Sequence, residues 1–199
     1  GKDDAQYWIQ RRRGDKRLFR PGAFRDWQKD MSVETKLKIW SKDEALAKMS
    51  MLCAESEKCK YDIAEKLKQH GLSSTDSNAI LSYLETERFI DEARYSKFFA
   101  KDKYKFAKWG RKKIEYALKM KRIPVDYIKD ALDEIPDDAY EETMLATLTS
   151  KLKTIKFQNR YDAKAKLFRF AASRGYESGV ALEIIEKILN ENLEGYDNE

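Results

Sequence analysis

The chain has 199 residues and a net charge of +5, with 42% hydrophobic and 38% charged residues. This much charge suits thin helical units with a large exposed surface better than one thick core. No apolar run reaches the roughly 18 residues that a membrane-spanning helix needs, and no secretory signal is visible, so we expect a cytoplasmic protein without a membrane partner. Only three valines occur, and because valine favours β-strands, this low number argues against a β-sheet.

The content of histidine and cysteine argues against a metal site and against catalysis. A structural zinc site needs about four ligands, whereas the chain has one histidine, His70, and two cysteines, Cys53 and Cys59. We predict no metal and no cofactor, and we expect both cysteines to be reduced and packed in the interior. No Ser/His/Asp or Cys/His set can be built around a single histidine, and no phosphate-binding loop is present. The sequence therefore does not predict an enzyme.

Helical periodicity begins near a capping box formed by Ser41 and Glu44. Thr75 or Asp76 is expected to cap the third helix, and Gly71 stands where a helix would end. Nine helices follow in all, and they fall into three groups of three. Apolar pairs recur in the second helix of each group, as Ile63/Leu67, Ile114/Leu118 and Leu167/Ala171, and in the third, as Ile80/Leu84, Ile128/Leu132 and Ile184/Ile188. A repeat of about 50 residues is typical of stacked units that cannot bury their apolar faces alone. We therefore predict an all-α fold of three tandem three-helix repeats.

The predicted repeats occupy residues 41–90, 91–135 and 136–192. Residues 1–40 differ from them and carry eleven Lys and Arg against six Asp and Glu. We interpret this segment as a basic N-terminal extension that is partly ordered at best. Met31 is a candidate for the biological start. Residues 193–199 form a predicted acidic tail.

Charge alternates strongly along the repeats. Residues 91–125 hold twelve basic and four acidic residues, a net charge of +8, and residues 126–145 hold one basic and eight acidic, a net charge of −7. Residues 151–175 return to +7 with eight basic residues and one acidic. Such bands produce basic and acidic faces. Solvated helix faces whose opposite charges pair across turns would produce the same bands.

The basic stretch from Lys101 to Arg122 also contains aromatic residues. Lysine and arginine attract phosphates, and aromatic rings stack on unpaired bases, so this stretch suits nucleic acid or an acidic protein groove. Gly110 opens a helix whose free N–H groups would point the same way as the basic residues after it. For Phe106 we expect a place in the core. The candidate binding residues are Lys101, Lys103, Lys105, Lys108, Trp109, Arg111, Lys112, Lys113, Lys119, Lys121 and Arg122, with a second strip of Lys164, Lys166, Arg169 and Arg174.

Two motifs in the second repeat resemble the RecX regulatory proteins of bacterial recombination. Residues 89–95 read Phe-Ile-Asp-Glu-Ala-Arg-Tyr, and residues 109–114 read Trp-Gly-Arg-Lys-Lys-Ile. Residues 67–71 and 173–176 fit the first and third repeats of that family. The residues that match the family motif are Asp91, Glu92, Arg94, Tyr95 and Gly110. The resemblance covers about residues 41–189.

The resemblance implies an elongated, curved row of three-helix repeats and no catalytic residues. It also implies binding to the RecA recombinase filament on single-stranded DNA, with modulation of recombinase, ATPase and co-protease activity in DNA repair and the SOS response. We expect the chain to act as a monomer. Arg122 stands where the family usually has glycine, which leaves the turn geometry there open.

Two other functions fit the same residues. One is a helical-repeat protein that binds nucleic acid and has no recombinase partner, and the other is a helical scaffold for some different partner. A pure DNA binder should show a salt slope of about −0.7 for each phosphate contacted. Added recombinase should not increase its affinity for DNA.

Overall fold

The computed structural model describes residues 38–192. Most of the predicted basic extension, Met31 and the predicted acidic tail lie outside these residues. The described part is helical and contains no strand. Its helices are α1 (Lys42–Glu55), α2 (Lys60–Gln69), α3 (Ser74–Thr86), α4 (Glu92–Lys105), α5 (Arg111–Met120), α6 (Val125–Asp133), α7 (Asp137–Leu152), α8 (Arg160–Arg174) and α9 (Ser178–Asn192). The predicted all-α class and its helical-repeat character are confirmed.

The helices pack in consecutive groups of three, which we call repeats 1, 2 and 3. In repeat 1, α1 and α2 pack against α3; in repeats 2 and 3 all three helices pack against one another. The second helix of each repeat is buried through the apolar pair that the sequence predicts. In α5, for example, Ile114 and Leu118 are both fully buried, because residues four apart lie on the same face of a helix. None of the described helices is both long and apolar enough to cross a membrane.

Side chains at the helix starts satisfy backbone amides that have no partner within the helix. Ser73 caps α3, and its hydroxyl accepts from the amide of Asp76 at 3.0 Å. The prediction of Thr75 or Asp76 as the cap is therefore wrong by a few residues. Asp91 caps α4 by accepting from the amide of Arg94 at 2.9 Å. Its negative charge also lies favourably at the positive end of the helix dipole.

Two apolar cores result from this packing. Repeat 1 has its own core, while a single continuous core runs through repeats 2 and 3 and takes in Cys59 from repeat 1. Cys53 and Cys59 are both buried and unbonded to each other, as expected. Burial raises the pKa of the Cys59 thiol to about 11. Both thiols therefore act as small apolar side chains in the packing.

The aromatic residues of α4 are only partly internal. Tyr95 is buried and Phe99 is half-buried, but Phe98 is 56% exposed and Phe106 is 82% exposed. The expectation that Phe106 belongs to the core is wrong. Because α4 ends at Lys105, Phe106 lies in the turn that follows, beyond the face of the helix that packs inward.

The same turn ends the second helix of each repeat. Gly71, Arg122 and Gly175 occupy equivalent positions, with φ angles of 77°, 59° and 80°. After each of them the next amide donates to a carbonyl five residues earlier, as in Ile123 to Leu118 at 3.2 Å. Arg122 therefore adopts the geometry of the glycines at the other two joins. The left-handed conformation costs a residue other than glycine about 1–2 kcal/mol.

The guanidinium of Arg122 partly offsets this cost. It lies 5.7 Å from the centre of the Tyr61 ring, an arrangement that contributes about 0.5–1 kcal/mol at an exposed site.

A pair of substitutions at Arg122 separates these two effects. Arg122→Ala loses the ring contact and keeps the left-handed cost, whereas Arg122→Gly loses the contact and the cost together. We expect the glycine variant to have a free energy of unfolding about 1 kcal/mol above that of the alanine variant. Urea denaturation of both variants measures the difference. Equal stabilities would show that the turn does not hold this residue in the left-handed region.

Candidate functional site

Repeats 2 and 3 touch backbone to backbone where α5 begins. The amide of Gly110 donates to the carbonyl of Arg174 at 2.8 Å, and the amide of Lys112 donates to the carbonyl of Gly175 at 3.1 Å. A Cβ atom on Gly110 would lie 2.2 Å from the Gly175 carbonyl oxygen. Glycine is therefore required at position 110 by the close approach of the third repeat.

Arg111 is also part of this joint. Its amide donates to the Tyr140 hydroxyl at 3.0 Å, and its guanidinium donates to the Ile135 carbonyl at 2.6 Å and to Asp137 at 2.7 Å. The guanidinium lies 4.4 Å from the centre of the Tyr140 ring. The prediction that free N–H groups at the start of α5 face a ligand is wrong, because repeat 3 takes up these groups.

Tyr140 lies at the centre of the same joint. Its hydroxyl donates to Glu177 at 2.6 Å, and the rings of Tyr104 and Tyr176 lie 6.1 and 5.9 Å away. Burial is the main cause that raises the pKa of Tyr140, and the bond to Glu177 adds to it. The hydroxyl therefore remains protonated and continues to donate at neutral pH.

The joint between repeats 1 and 2 is more polar. Lys121 pairs with Asp62 at 2.6 Å, and Arg94 pairs with Glu57 at 2.6 Å. Arg122, which lies over Tyr61, belongs to the same joint. Lys121 and Arg122, predicted to bind a partner, therefore contact the protein itself.

The residues of the family motif hold the repeats together. Asp91 caps α4, Arg94 reaches repeat 1, and Gly110 meets repeat 3. Tyr95 is buried, and desolvation is the main cause that raises the pKa of its hydroxyl. Burial also raises the pKa of the Glu92 carboxyl. These positions account for the motif through packing and joint geometry.

Trp109 is packed against the shared core. It is half-buried and meets Phe99 edge to face, with ring centres 6.4 Å apart. The ammonium groups of Lys103 and Lys113 lie 5.8 and 4.8 Å from its ring centre. Lys113 also donates to the Ser173 carbonyl at 3.1 Å. The ring of Trp109, predicted as a stacking surface, is thus engaged within the protein.

Several other predicted binding residues form ion pairs within the described residues. Lys103 pairs with Asp102, Lys119 with Glu115, Lys164 with Glu186 and Lys166 with Asp162. These pairs match the alternative in which charged helix faces neutralise themselves. The remaining candidates form no ion pair within residues 38–192: Lys101, Lys105, Lys108, Lys112, Arg169 and Arg174.

Two of these unpaired residues, Lys108 and Arg174, line one open groove of about 690 Å³. Lys108 follows α4 and Arg174 ends α8, so the two predicted basic strips meet there. The groove runs along α7, whose Lys151 adds a third cation. Lys151 and Arg174 both lie over the Phe170 ring, at 5.2 and 5.1 Å from its centre.

Sequence reasoning missed most of this groove. Thr143, Thr147 and Ser150 on α7 line the groove, as does Thr154 just beyond the end of that helix. The spacing of four and three residues places the first three on one helix face, and this periodicity was the signal that could have identified them. Within residues 38–192, no group of three or more His, Cys, Asp or Glu is placed to hold a metal ion.

Comparisons with known proteins agree with this architecture. A family model described as the second three-helix domain of RecX matches residues 91–132. The regulatory protein RecX of Clostridium botulinum (strain Eklund 17B / Type B) is 26% identical over 175 residues, which are 83% of this chain and 80% of the relative. That of Clostridium perfringens (strain SM101 / Type A) is 28% identical over 170 residues, 82% of this chain and 79% of the relative. These similarities support a RecX family protein.

Solved structures of RecX proteins share the fold. One crystal structure of a regulatory protein RecX superposes with a TM-score of 0.67 at 20% identity, over 73% of each chain. RecX from Lactobacillus salivarius gives a TM-score of 0.59 at 17% identity, over 73% of this chain and 97% of the other. The relatives are named as regulatory proteins.

Substitution of Gly110 tests the joint between repeats 2 and 3. We expect Gly110→Ala to lower the free energy of unfolding by about 3 kcal/mol, because the added methyl overlaps the Gly175 backbone. Gly179→Ala is the matched control, since nothing lies within 4 Å of the added carbon. It should raise stability by about 0.5 kcal/mol. Urea denaturation measures both, and a tolerated Gly110→Ala would contradict the contact.

Proposed function

We propose that this chain is a non-enzymatic regulator that binds the RecA recombinase filament on single-stranded DNA. Its binding restrains recombinase, ATPase and co-protease activity in DNA repair. The observation that carries the proposal is the similarity to proteins named regulatory protein RecX over about four-fifths of the chain. We further propose that the protein works in the cytoplasm as a monomer, with repeats bounded at residues 41–90, 91–135 and 136–192.

The basic residues that are free of internal ion pairs are the proposed contacts. Lys101 and Lys105 on α4, and Lys112 on α5, are exposed and form no ion pair within the described residues. Positive charge without an internal partner attracts a polyanionic filament and accelerates the encounter with it. Arg111 and Lys121 are less suitable for contacting the filament, because their charged side chains already bond to a neighbouring repeat.

Charge reversal at the exposed lysines tests the proposal. The variant Lys101→Glu/Lys105→Glu/Lys112→Glu should require about tenfold more protein to inhibit the recombinase ATPase on single-stranded DNA, equivalent to about 1.4 kcal/mol. Co-sedimentation with the recombinase filament should fall in parallel. Helicity should not change, because none of the three side chains forms an ion pair in the described part of the chain.

A matched control carries the same change of charge elsewhere. Lys68→Glu/Lys129→Glu/Lys153→Glu alters three exposed lysines that also form no ion pair in the described part. This control should inhibit like the unaltered protein. Equal loss in both variants, or no loss in the first, would contradict the proposed contacts. Binding to bare single-stranded DNA with no gain from recombinase would favour a nucleic-acid-binding protein without that partner.

A further inference from the structure

The groove along α7 has a chemistry that differs from that of the exposed lysines on α4 and α5. We propose that it is a binding site for the sugar–phosphate backbone of single-stranded DNA and that it does not read the bases. The proposal rests on the proposed function, because single-stranded DNA is the strand on which the filament forms. It adds a site on repeat 3 that contacts this strand directly.

Three cations converge on the groove from three different segments. Lys108, Lys151 and Arg174 all line it, and none forms an ion pair within residues 38–192. Many of the neighbouring basic side chains are neutralised, as Lys164 is by Glu186. Positive potential therefore remains inside a concave surface, where it attracts an anion more strongly than on a convex face.

A row of hydroxyl groups follows the same groove. Thr143, Thr147 and Ser150 extend along α7 for about 10 Å at a rise of 1.5 Å per residue, and Thr154 lines the groove just beyond the end of the helix. Serine and threonine hydroxyls donate to phosphate oxygens, and such contacts position a strand without reading its sequence. Three of these hydroxyls already have partners inside the protein, since Thr154 donates to the Lys151 carbonyl at 2.9 Å, Thr143 lies 3.3 Å from the Tyr104 hydroxyl, and Thr147 bonds to Tyr176. The Ser150 hydroxyl forms no hydrogen bond within residues 38–192 and can donate to a phosphate oxygen beside the three cations.

The aromatic ring of the groove is not free to stack on a base. Lys151 and Arg174 already lie over the Phe170 ring. This arrangement holds the two cations near each other at the wall of the groove. Contacts to the backbone remain as the source of affinity, so binding should be independent of the base.

The groove is preformed on the side of repeat 2. Lys108 has a φ of 55°, a conformation that glycine adopts more easily. Its carbonyl accepts from the Tyr176 hydroxyl at 3.1 Å, and the neighbouring Ala107 carbonyl accepts from Arg174 at 3.0 Å. These bonds fix the Lys108 backbone against repeat 3, so the strand does not have to order this wall when it binds.

One lining residue opposes the ligand. Glu142 contributes a carboxylate at the edge of the groove, and a phosphate nearby would be repelled by it. Removal of that charge should therefore strengthen binding.

Binding of a fluorescent oligothymidylate of about 15 nucleotides to the full chain, without recombinase, tests the site. Lys151→Glu should weaken binding about five- to tenfold and reduce the size of the salt slope by about 0.7. Lys153→Glu carries the same change of charge two residues away but does not line the groove. It should change the affinity less than about twofold, and Glu142→Gln should strengthen binding.

Acetylation footprinting of the lysines tests the site directly, and it does so even if the basic residues 1–40 also bind the oligonucleotide. The oligonucleotide should protect Lys108 and Lys151 from acetylation and leave Lys153 reactive. A strand of the same length that lacks bases should bind within about twofold of oligothymidylate, since stacking on aromatic residues would contribute about tenfold or more per base.

Equal weakening by Lys151→Glu and Lys153→Glu, or unprotected Lys108 and Lys151, would overturn the proposed site. A large loss of affinity for the strand that lacks bases, relative to oligothymidylate, would show that the groove does not bind through the sugar–phosphate backbone alone. If Lys151→Glu weakens filament binding but leaves oligonucleotide binding unchanged, the groove docks protein and the proposal is wrong. The proposed function would survive that result, because its own test uses lysines outside the groove.

Discussion

Two glycines meet where the second and third repeats join, and the distance between them leaves no room for a side chain at Gly110. The amides at the start of α5, which in an isolated helix would have no partner, donate instead to carbonyls at the end of α8. Each repeat is too small to bury its own apolar surface, and this contact brings two of them together over one continuous core. The position of the groove on α7 depends on that arrangement, because Lys108 and Arg174 come from different repeats.

The two joints between repeats are built from different interactions. Backbone hydrogen bonds, buried tyrosines and a shared apolar core hold repeats 2 and 3. Half-exposed ion pairs such as Lys121 with Asp62 connect repeats 1 and 2, and pairs of this kind contribute about 0–1 kcal/mol each. Repeats 2 and 3 should therefore behave as the firmer unit. Added salt should weaken the joint to repeat 1 first.

Much of the fold could be predicted from local sequence patterns. Apolar spacing identifies the buried pairs Ile63/Leu67 and Ile114/Leu118 because helical periodicity follows directly from burial. The turns at Gly71 and Gly175 follow from the need of glycine for positive φ. Arg122 shows the limit of that rule, since its equivalence to these glycines is visible only from its place in the repeat.

The candidate site was less predictable, because charge pairing depends on distant residues. Lys121 is neutralised by Asp62, which lies 59 positions earlier in the chain. No local pattern predicts that contact, nor the one between Gly110 and Gly175. Lys151 was missed because a single lysine among hydroxyl-bearing residues resembles ordinary helix surface. The groove appears only once α7 and α8 are packed together.

Hydrogen exchange at the start of α5 tests the central claim most directly. Amides in the first turn of a helix normally exchange quickly because they lack partners. If repeat 3 holds them, the amides of Gly110 and Lys112 should be protected as strongly as that of Leu118 in the buried part of the same helix. Rapid exchange at Gly110 and Lys112 beside a protected Leu118 would contradict the backbone joint between repeats 2 and 3.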